Sequence, residues 1–85
     1  MADVDVKLIL FAKARELVGA SEVNVRFPQE LSSEHLKSKI IQSFPVLDKL
    51  GGTWLLALNE AYIDTDRVTL NTGDTLAVIP PISGG

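Results

Sequence analysis

Hydrophobic and polar residues alternate near the start of the chain in a way that predicts strands. Between residues 4 and 11 the even-numbered positions are all apolar, whereas the odd-numbered ones place Ile9 and Phe11 beside charged side chains. A period of two is that of a strand with one buried face. Residues 22–27 alternate in the same way, and Pro28 should end that second strand. The alternation by itself does not explain why Phe11 shares a face with charges.

Two segments in the first half of the chain have helical patterns instead. Residues 13–18 are rich in helix formers and stop at Gly19, which suits the position just after a helix. A longer helix is predicted to begin with Ser32 or Ser33 as its N-cap and to end before Pro45. Its apolar residues recur at helical spacing and predict a buried stripe of Leu36, Ile40, Ile41 and Phe44.

The second half of the chain predicts strands joined by turns. Residues 54–58 are nearly all apolar and indicate a central strand, a turn at Asn59 and Glu60 leads to residues 61–63, and residues 75–79 form the last strand. The order β–α–β–α–β–β–β, with a hairpin followed by a helical crossover, predicts an α+β fold. We expect a single β-grasp, or ubiquitin-like, domain over residues 1–79, with a mixed sheet packed against one main helix and a short second helix.

Composition narrows the classes of function. The 85 residues contain no cysteine, which excludes a disulfide, a thiolate nucleophile and a cysteine metal site. The longest apolar runs fall far short of the roughly 20 residues that span a membrane, and the first residues are acidic, unlike a targeting peptide. The net charge of −3 argues against nucleic acid and anionic membranes as partners. These features favour a cytoplasmic protein of the cytosol.

Conventional catalytic and metal-binding motifs are absent from the sequence. His35 is the single histidine and lies among polar residues of the predicted main helix, where a solvated side chain is expected. Asp64 and Asp66 fit a turn better than a metal site, because no further oxygen ligands accompany them. We therefore expect no metal site. The last six residues remain as the segment that could carry a reactive group.

Residues 80–85, Pro-Pro-Ile-Ser-Gly-Gly, are predicted to form an extended reactive tail. Pro80 and Pro81 restrict the backbone and favour an extended form, which lowers the entropy lost on docking. Beyond them, four extended residues reach roughly 13 Å, enough to enter the cleft of a partner. Gly84 and Gly85 have no Cβ and can pass through a narrow channel.

The terminal carboxylate is the reactive group that such a tail presents. It is an anion at neutral pH and a poor electrophile, so it must first be activated, most simply as an acyl phosphate or acyl adenylate. The alternative is that two terminal glycines are an idle, frayed end. The preceding prolines and the β-grasp pattern favour the reactive tail.

Three segments resemble the small, sulfur-carrying subunits of molybdopterin synthase. They are VKLILFAKARELVG at residues 6–19, LALNEAYI at residues 56–63, and LNTGDTLAVIPPISGG at residues 70–85. The likeness extends over nearly the whole chain, although the main helix is matched only in its apolar spacing. The first and last segments are specific to this family.

The resemblance implies a function in molybdenum cofactor biosynthesis. An E1-like enzyme, using ATP and Mg²⁺, would adenylate Gly85, which is then converted to a thiocarboxylate. The tail would enter the large synthase subunit, with Gly84 as the slim residue before the end, and donate sulfur to convert precursor Z, the cyclic pyranopterin monophosphate, to molybdopterin. The chain alone would then be neither an enzyme nor a binder of any cofactor, and two small and two large subunits would form a heterotetramer.

The resemblance also implies which residues meet partners. Sheet-surface positions of the family match Phe11, Tyr62 and Ile79, and the tail adds Pro80, Pro81, Ile82 and Ser83. A partner over this surface would explain the apolar Phe11 on a wet face.

Two other classes of function stay open on the sequence. The chain could be a β-grasp carrier for thiazole (thiamine) synthesis or tRNA thiolation, or a ubiquitin-like protein modifier. It could also be a plain binding module with an idle tail, in which case loss of Gly85 would change nothing.

Overall fold

Two helices and a 3₁₀ helix lie among seven strands in residues 3–51 and 54–80, which are the parts of the chain that the computed structural model describes. The strands are β1 (Asp3–Leu10), β2 (Glu22–Pro28), β3 (Glu30–Ser32), β4 (Leu55–Leu58), β5 (Ala61–Tyr62), β6 (Arg67–Thr69) and β7 (Thr75–Ile79). The helices are α1 (Ala12–Val18) and α2 (Ser33–Ser43), and a 3₁₀ helix follows at Pro45–Leu50. No helix within the described residues has the length and apolar character that crossing a bilayer requires.

Five of the strands form one mixed sheet in the order β2-β1-β7-β4-β5. β1 and β7 are parallel, whereas the other neighbours are antiparallel. The predicted mixed sheet is thus confirmed, but β7 occupies its centre. Residues 55–58 form β4, which lies between β7 and the short edge strand β5, so the expected central strand is an interior strand beside the middle one.

The hydrophobic core is built from the inner face of this sheet and the apolar side of α2. The four even-numbered residues of β1 are buried, as the alternation predicts, and Leu36 and Ile40 of α2 are completely buried with them. Leu76 and Val78 of β7 belong to the same cluster. Each such side chain contributes roughly 1.5–3 kcal/mol when it leaves water, so the core dominates the stability of the domain.

A second, two-stranded sheet was not foreseen in the sequence. β3 and β6 pair antiparallel, with Leu31 opposite Val68. Each strand has three residues, and in each only the middle one is buried, so neither segment is long enough to show an alternation. β3 runs directly into α2, because Ser32 ends the strand and also caps the helix: its Oγ accepts a hydrogen bond of 3.0 Å from the His35 N–H.

The helix ends follow the predicted signals. Gly19 adopts the left-handed conformation (φ 86°) after α1, and its N–H donates to the Arg15 carbonyl. α2 ends before Pro45, which then opens the 3₁₀ helix that sequence reasoning missed. The Lys37 ammonium group joins α2 to the residue before β4: it donates to the Trp54 carbonyl at 2.6 Å and lies 4.9 Å from the centre of the Trp54 ring.

Candidate functional site

The candidate site lies on the outer face of the five-stranded sheet, opposite the core. Strand register places four residues in one row across four neighbouring strands: Ile9, Ala77, Ala57 and Tyr62. A second row, about 7 Å further along the strands, consists of Phe11, Ile79 and Leu55. We call these seven residues the outer apolar patch. Ala57 is buried, at 5% exposed, whereas the other six are half-buried or exposed, and none of the seven belongs to the core cluster of the described residues.

Three large side chains of the patch are exposed to solvent. Phe11 is 48% exposed, Leu55 51% and Tyr62 65%, and Ile79 beside them is half-buried. Large apolar residues that cluster on a surface indicate a site where another molecule binds. The structure therefore brings together Phe11, Tyr62 and Ile79 as predicted, while their contact with a partner stays a prediction.

Leu55 is a member of the patch that sequence reasoning missed. The run from Trp54 to Leu58 contains almost only apolar residues, so its sequence does not reveal which side chains face outwards. The pairing with β7 decides this: Leu55 lies opposite Ile79 on the outer face, whereas Leu56 lies opposite Val78 and is buried.

The backbone around Phe11 holds its side chain at the edge of the patch. Phe11 is extended and donates its N–H to the Val78 carbonyl at 3.3 Å. Its own carbonyl accepts from the N–H groups of Ala14 at 3.0 Å and Arg15 at 3.4 Å. The next residue, Ala12, has a φ of 48°, a left-handed conformation that is unfavourable for alanine. The turn from β1 into α1 is thus held in a strained form by hydrogen bonds on both sides.

A shallow depression occupies the middle of the outer apolar patch. It has a volume of about 430 Å³ and is lined by Ile9, Phe11, Ala57, Glu60, Tyr62, Thr75, Ala77 and Ile79. Alanines form its floor, because Ala57 and Ala77 take the two central places of the first row. The polar residues Glu60 and Thr75 lie at one end, next to the turn between β4 and β5.

Charged pairs bound the patch on the side of β2. Arg26 Nε lies 3.1 Å from Asp5 Oδ1, and Lys7 Nζ lies 3.5 Å from Glu22 Oε2. The hydrogen bond to Asp5, and then the charge of that carboxylate, raise the pKa of Arg26 above its usual value. Such exposed pairs contribute little to stability. Their effect here is to divide the outer face into a charged part and an apolar part.

The last strand leads to the tail at the edge of the patch. Leu76, Val78 and Pro80 are buried in alternation, whereas Ile79 faces outwards. Pro80, placed by the sequence at the start of the tail, thus continues the buried row of β7. The predicted site residues Pro81, Ile82, Ser83, Gly84 and Gly85 lie outside the described residues. The last described residue, Pro80, therefore lies directly after Ile79, next to Phe11 and Leu55.

The other candidate groups lie apart from this face. His35 is exposed in the first turn of α2, and Asp64 and Asp66 are exposed between β5 and β6. Among the described residues, no three histidine, aspartate or glutamate side chains are grouped to hold a metal ion.

Comparisons with known proteins identify relatives over nearly the whole chain. A family model described as the ThiS family matches residues 8–85. The molybdopterin synthase sulfur carrier subunit of Arabidopsis thaliana is 38% identical over 84 residues, which cover 99% of this chain and 86% of that protein.

Solved structures show the same fold at lower identity. Small archaeal modifier protein 1 from Methanosarcina acetivorans matches with a TM-score of 0.78 at 20% identity, and the match covers both chains completely. A complex of subunits 1 and 2 of the molybdopterin-converting factor from Helicobacter pylori contains a chain that matches with a TM-score of 0.68 at 23% identity, covering 96% of this chain and 100% of that one. The predicted ubiquitin-like β-grasp fold is confirmed by these neighbours.

Proposed function

The chain belongs to the ThiS family, in which it groups with the sulfur carrier subunits of molybdopterin synthase, and we propose that it carries the sulfur as a thiocarboxylate on Gly85. Its function is sulfur delivery in molybdenum cofactor biosynthesis, where precursor Z is converted to molybdopterin.

One observation carries the proposal: the outer apolar patch lies beside Pro80, the residue at which the predicted tail begins. A carrier has to be held by its partner while its terminus reaches the partner's active site. Phe11 and Leu55 are exposed on either side of Ile79, and Pro80 follows directly. A partner that covers the patch therefore also receives the tail, which supports Phe11, Tyr62 and Ile79, together with residues 80–83, as the partner-binding set.

The chemistry begins with activation of the terminal carboxylate. A carboxylate oxygen of Gly85 attacks the α-phosphorus of ATP, which forms an acyl adenylate and releases pyrophosphate. Sulfur at the sulfide oxidation level, as hydrosulfide, then attacks the carbonyl carbon, the bond from that carbon to the oxygen of AMP breaks, and the terminus becomes a thiocarboxylate. In the synthase the sulfur passes to precursor Z, and water restores the carboxylate. Because molybdopterin contains two dithiolene sulfurs, two such deliveries are needed for each product.

Two proposed partners carry out activation of the terminus and sulfur transfer. An E1-like enzyme binds ATP and Mg²⁺ and activates Gly85, and the large synthase subunit binds precursor Z and accepts the tail. We propose a heterotetramer of two small and two large subunits, in which this chain is a protein substrate and contributes no catalytic machinery of its own. We propose the cytosol as the location, in line with the composition and the acidic N-terminus of the chain.

The mass of the intact chain tests the route. After incubation with the activating enzyme, ATP and a sulfur source, we expect the mass to rise by the difference between one sulfur and one oxygen atom. Omission of ATP should leave the mass unchanged. Addition of the large subunit and precursor Z should then restore the original mass while molybdopterin forms.

The same experiment separates this function from the alternatives. A thiocarboxylate that forms but is consumed only by a thiazole synthase or a tRNA-thiolating enzyme would identify another sulfur carrier. Attachment of the chain to lysine side chains would identify a protein modifier. A chain that gains no sulfur at all would contradict the carrier route.

A further inference from the structure

The depression in the outer apolar patch has the features of a receptor for a side chain. We propose that it receives a single aliphatic or aromatic side chain of the large synthase subunit, and we call it the alanine socket after its floor, Ala57 and Ala77. This inference rests on the proposed function, since it names the feature by which that partner recognises the carrier.

The floor of the socket follows from the strand register. Ala77 pairs with Ile9 on one side and with Ala57 on the other, and Ala57 pairs with Tyr62. Neighbouring strands are about 4.8 Å apart, so this row spans about 14 Å. The two middle positions carry only a methyl group, whereas both ends and the next row carry large side chains. The result is an open volume of about 430 Å³ in an otherwise raised apolar surface.

The lining determines the chemistry of the occupant. Ile9, Phe11, Tyr62 and Ile79 form the rim, and they present carbon atoms to the interior. Glu60 and Thr75 supply polar groups only at the end near the β4–β5 turn. An ion or a strongly polar group would lose its water without gaining partners in the middle of the socket. An apolar side chain would instead pack against the rim, as central interface residues do.

The position of the tail limits the partner to a protein that captures the C-terminus. Of the two proteins proposed to do so, we assign the socket to the large synthase subunit, because the matching chain from Helicobacter pylori is found in a complex of subunits 1 and 2 of the molybdopterin-converting factor. Five residues, 81–85, follow Pro80, and an extended segment of that length reaches no more than about 18 Å. The protein that captures the terminus must therefore approach the domain at the edge formed by Phe11 and Ile79. These two residues also line the socket. The acceptor of the tail thus covers the socket at the same time.

A substitution in this chain that fills the socket tests the inference. Ala77→Leu places a larger apolar side chain on its floor without touching the core, which lies on the other side of the sheet. Ala61→Leu is the matched control, because Ala61 is exposed in β5 and its side chain points away from the face that carries Tyr62. Binding of each full-length variant to the purified large subunit is measured by calorimetry, and folding is measured by thermal unfolding.

We expect Ala77→Leu to weaken binding by about 30-fold or more, the effect of losing one central interface contact. Ala61→Leu should bind within about twofold of the original chain. The melting temperatures of both should stay within about 3 °C, as for other surface substitutions. Ala77→Val, which fills less of the socket, should give an intermediate loss and serves as the test if leucine disturbs folding.

The outcomes separate this inference from the proposed function. If Ala77→Leu and Ala77→Val bind like the original chain while Phe11→Asp does not, the patch is the interface but the socket is empty, and the inference is overturned. If the loss of binding does not increase from valine to leucine, side-chain volume is irrelevant and the inference is also overturned. The proposed function is judged independently, by the gain of sulfur on the unsubstituted chain.

Discussion

Leu55 shows how much a single side chain depends on its neighbours across the sheet. It lies between two buried residues of the same apolar run, Trp54 and Leu56, yet half of its surface is open to solvent. Together with Phe11 and Tyr62 it exposes apolar area that has no role within the domain. Such residues are explained by a molecule that covers them, and their contribution should appear in binding and not in stability.

Substitution of Leu55 tests this separation of roles. Leu55→Asp should leave the free energy of unfolding within about 0.5 kcal/mol of the original chain, because an exposed aspartate remains solvated. Binding to the large subunit should fall by about tenfold or more, since the carboxylate would be buried without a partner. Urea unfolding and calorimetric binding measure the two effects.

The adjacent residue supplies the control for this prediction. Leu56 is 4% exposed and faces the core, so Leu56→Asp should cost more than about 3 kcal/mol and unfold most of the chain. If Leu55→Asp were as destabilising as Leu56→Asp, the orientation of β4 described here would be wrong.

At the scale of elements, the junction of β1 and α1 contains a strained residue next to the patch. Ala12 has a φ of 48°, which costs alanine about 1–2 kcal/mol. Phe11 donates a hydrogen bond to β7 and accepts two from the first turn of α1, and these bonds hold the conformation. This conformation of Ala12 sets the direction in which the chain leaves the sheet after Phe11.

Ala12→Gly should therefore stabilise the domain, unlike most replacements by glycine. Relief of the strain outweighs the greater flexibility of glycine in the unfolded chain, and we expect a gain of about 0.5–1 kcal/mol in the free energy of unfolding. The control is Ala61→Gly in β5, at a position outside the left-handed region, which should lose about 0.5–1 kcal/mol. Urea unfolding measures both. A loss of stability in Ala12→Gly would show that Ala12 is not strained.

At the scale of the whole molecule, the point at which the tail is attached to the domain sets how far the C-terminus can reach. The buried Pro80 continues the central strand, so the distance from the outer apolar patch to Gly85 depends on the number of residues that follow. The distance of the terminal carboxylate from the domain should therefore affect sulfur transfer more than any side chain of this segment.

Changes of chain length test this dependence. Removal of Gly85 leaves a carboxylate on Gly84 about 3.3–3.6 Å short of its place, and a displacement of even 1 Å can cost about a hundredfold in rate. We expect gain of sulfur and synthesis of molybdopterin almost to vanish, and one residue added after Gly85 should be equally damaging.

Neither change of length touches the core, so thermal stability should stay within about 0.5 kcal/mol, and binding through the patch should persist in part. Melting curves for the three lengths and the mass of the intact chain after activation provide the comparison. A shortened or extended chain that acquires sulfur and supports molybdopterin synthesis at the original rate would show that the position of the terminal carboxylate is unimportant, which contradicts the dependence on chain length.

The sequence by itself determined the features that depend on local chemistry. The inward face of β1, the N-cap at Ser32, the left-handed Gly19 and the β4–β5 turn all follow from residues within a few positions of one another. The β-grasp order of elements follows from these, and the resemblance of residues 70–85 to sulfur carriers supplied the function. Local signals suffice here because a hydrogen bond or a period of two requires only near neighbours.

The tertiary structure decided everything that depends on distant parts of the chain. The pairing of β7 between β1 and β4 made β7 central, exposed Leu55 and aligned Ala77 with Ala57 to form the socket. The pairing of β3 with β6, more than thirty residues apart, likewise has no local signal. Register between strands is set by packing of the whole sheet against the core, and a shift of one residue would turn every outward side chain inwards. A continuous apolar run is compatible with both registers, so only the folded sheet can distinguish them.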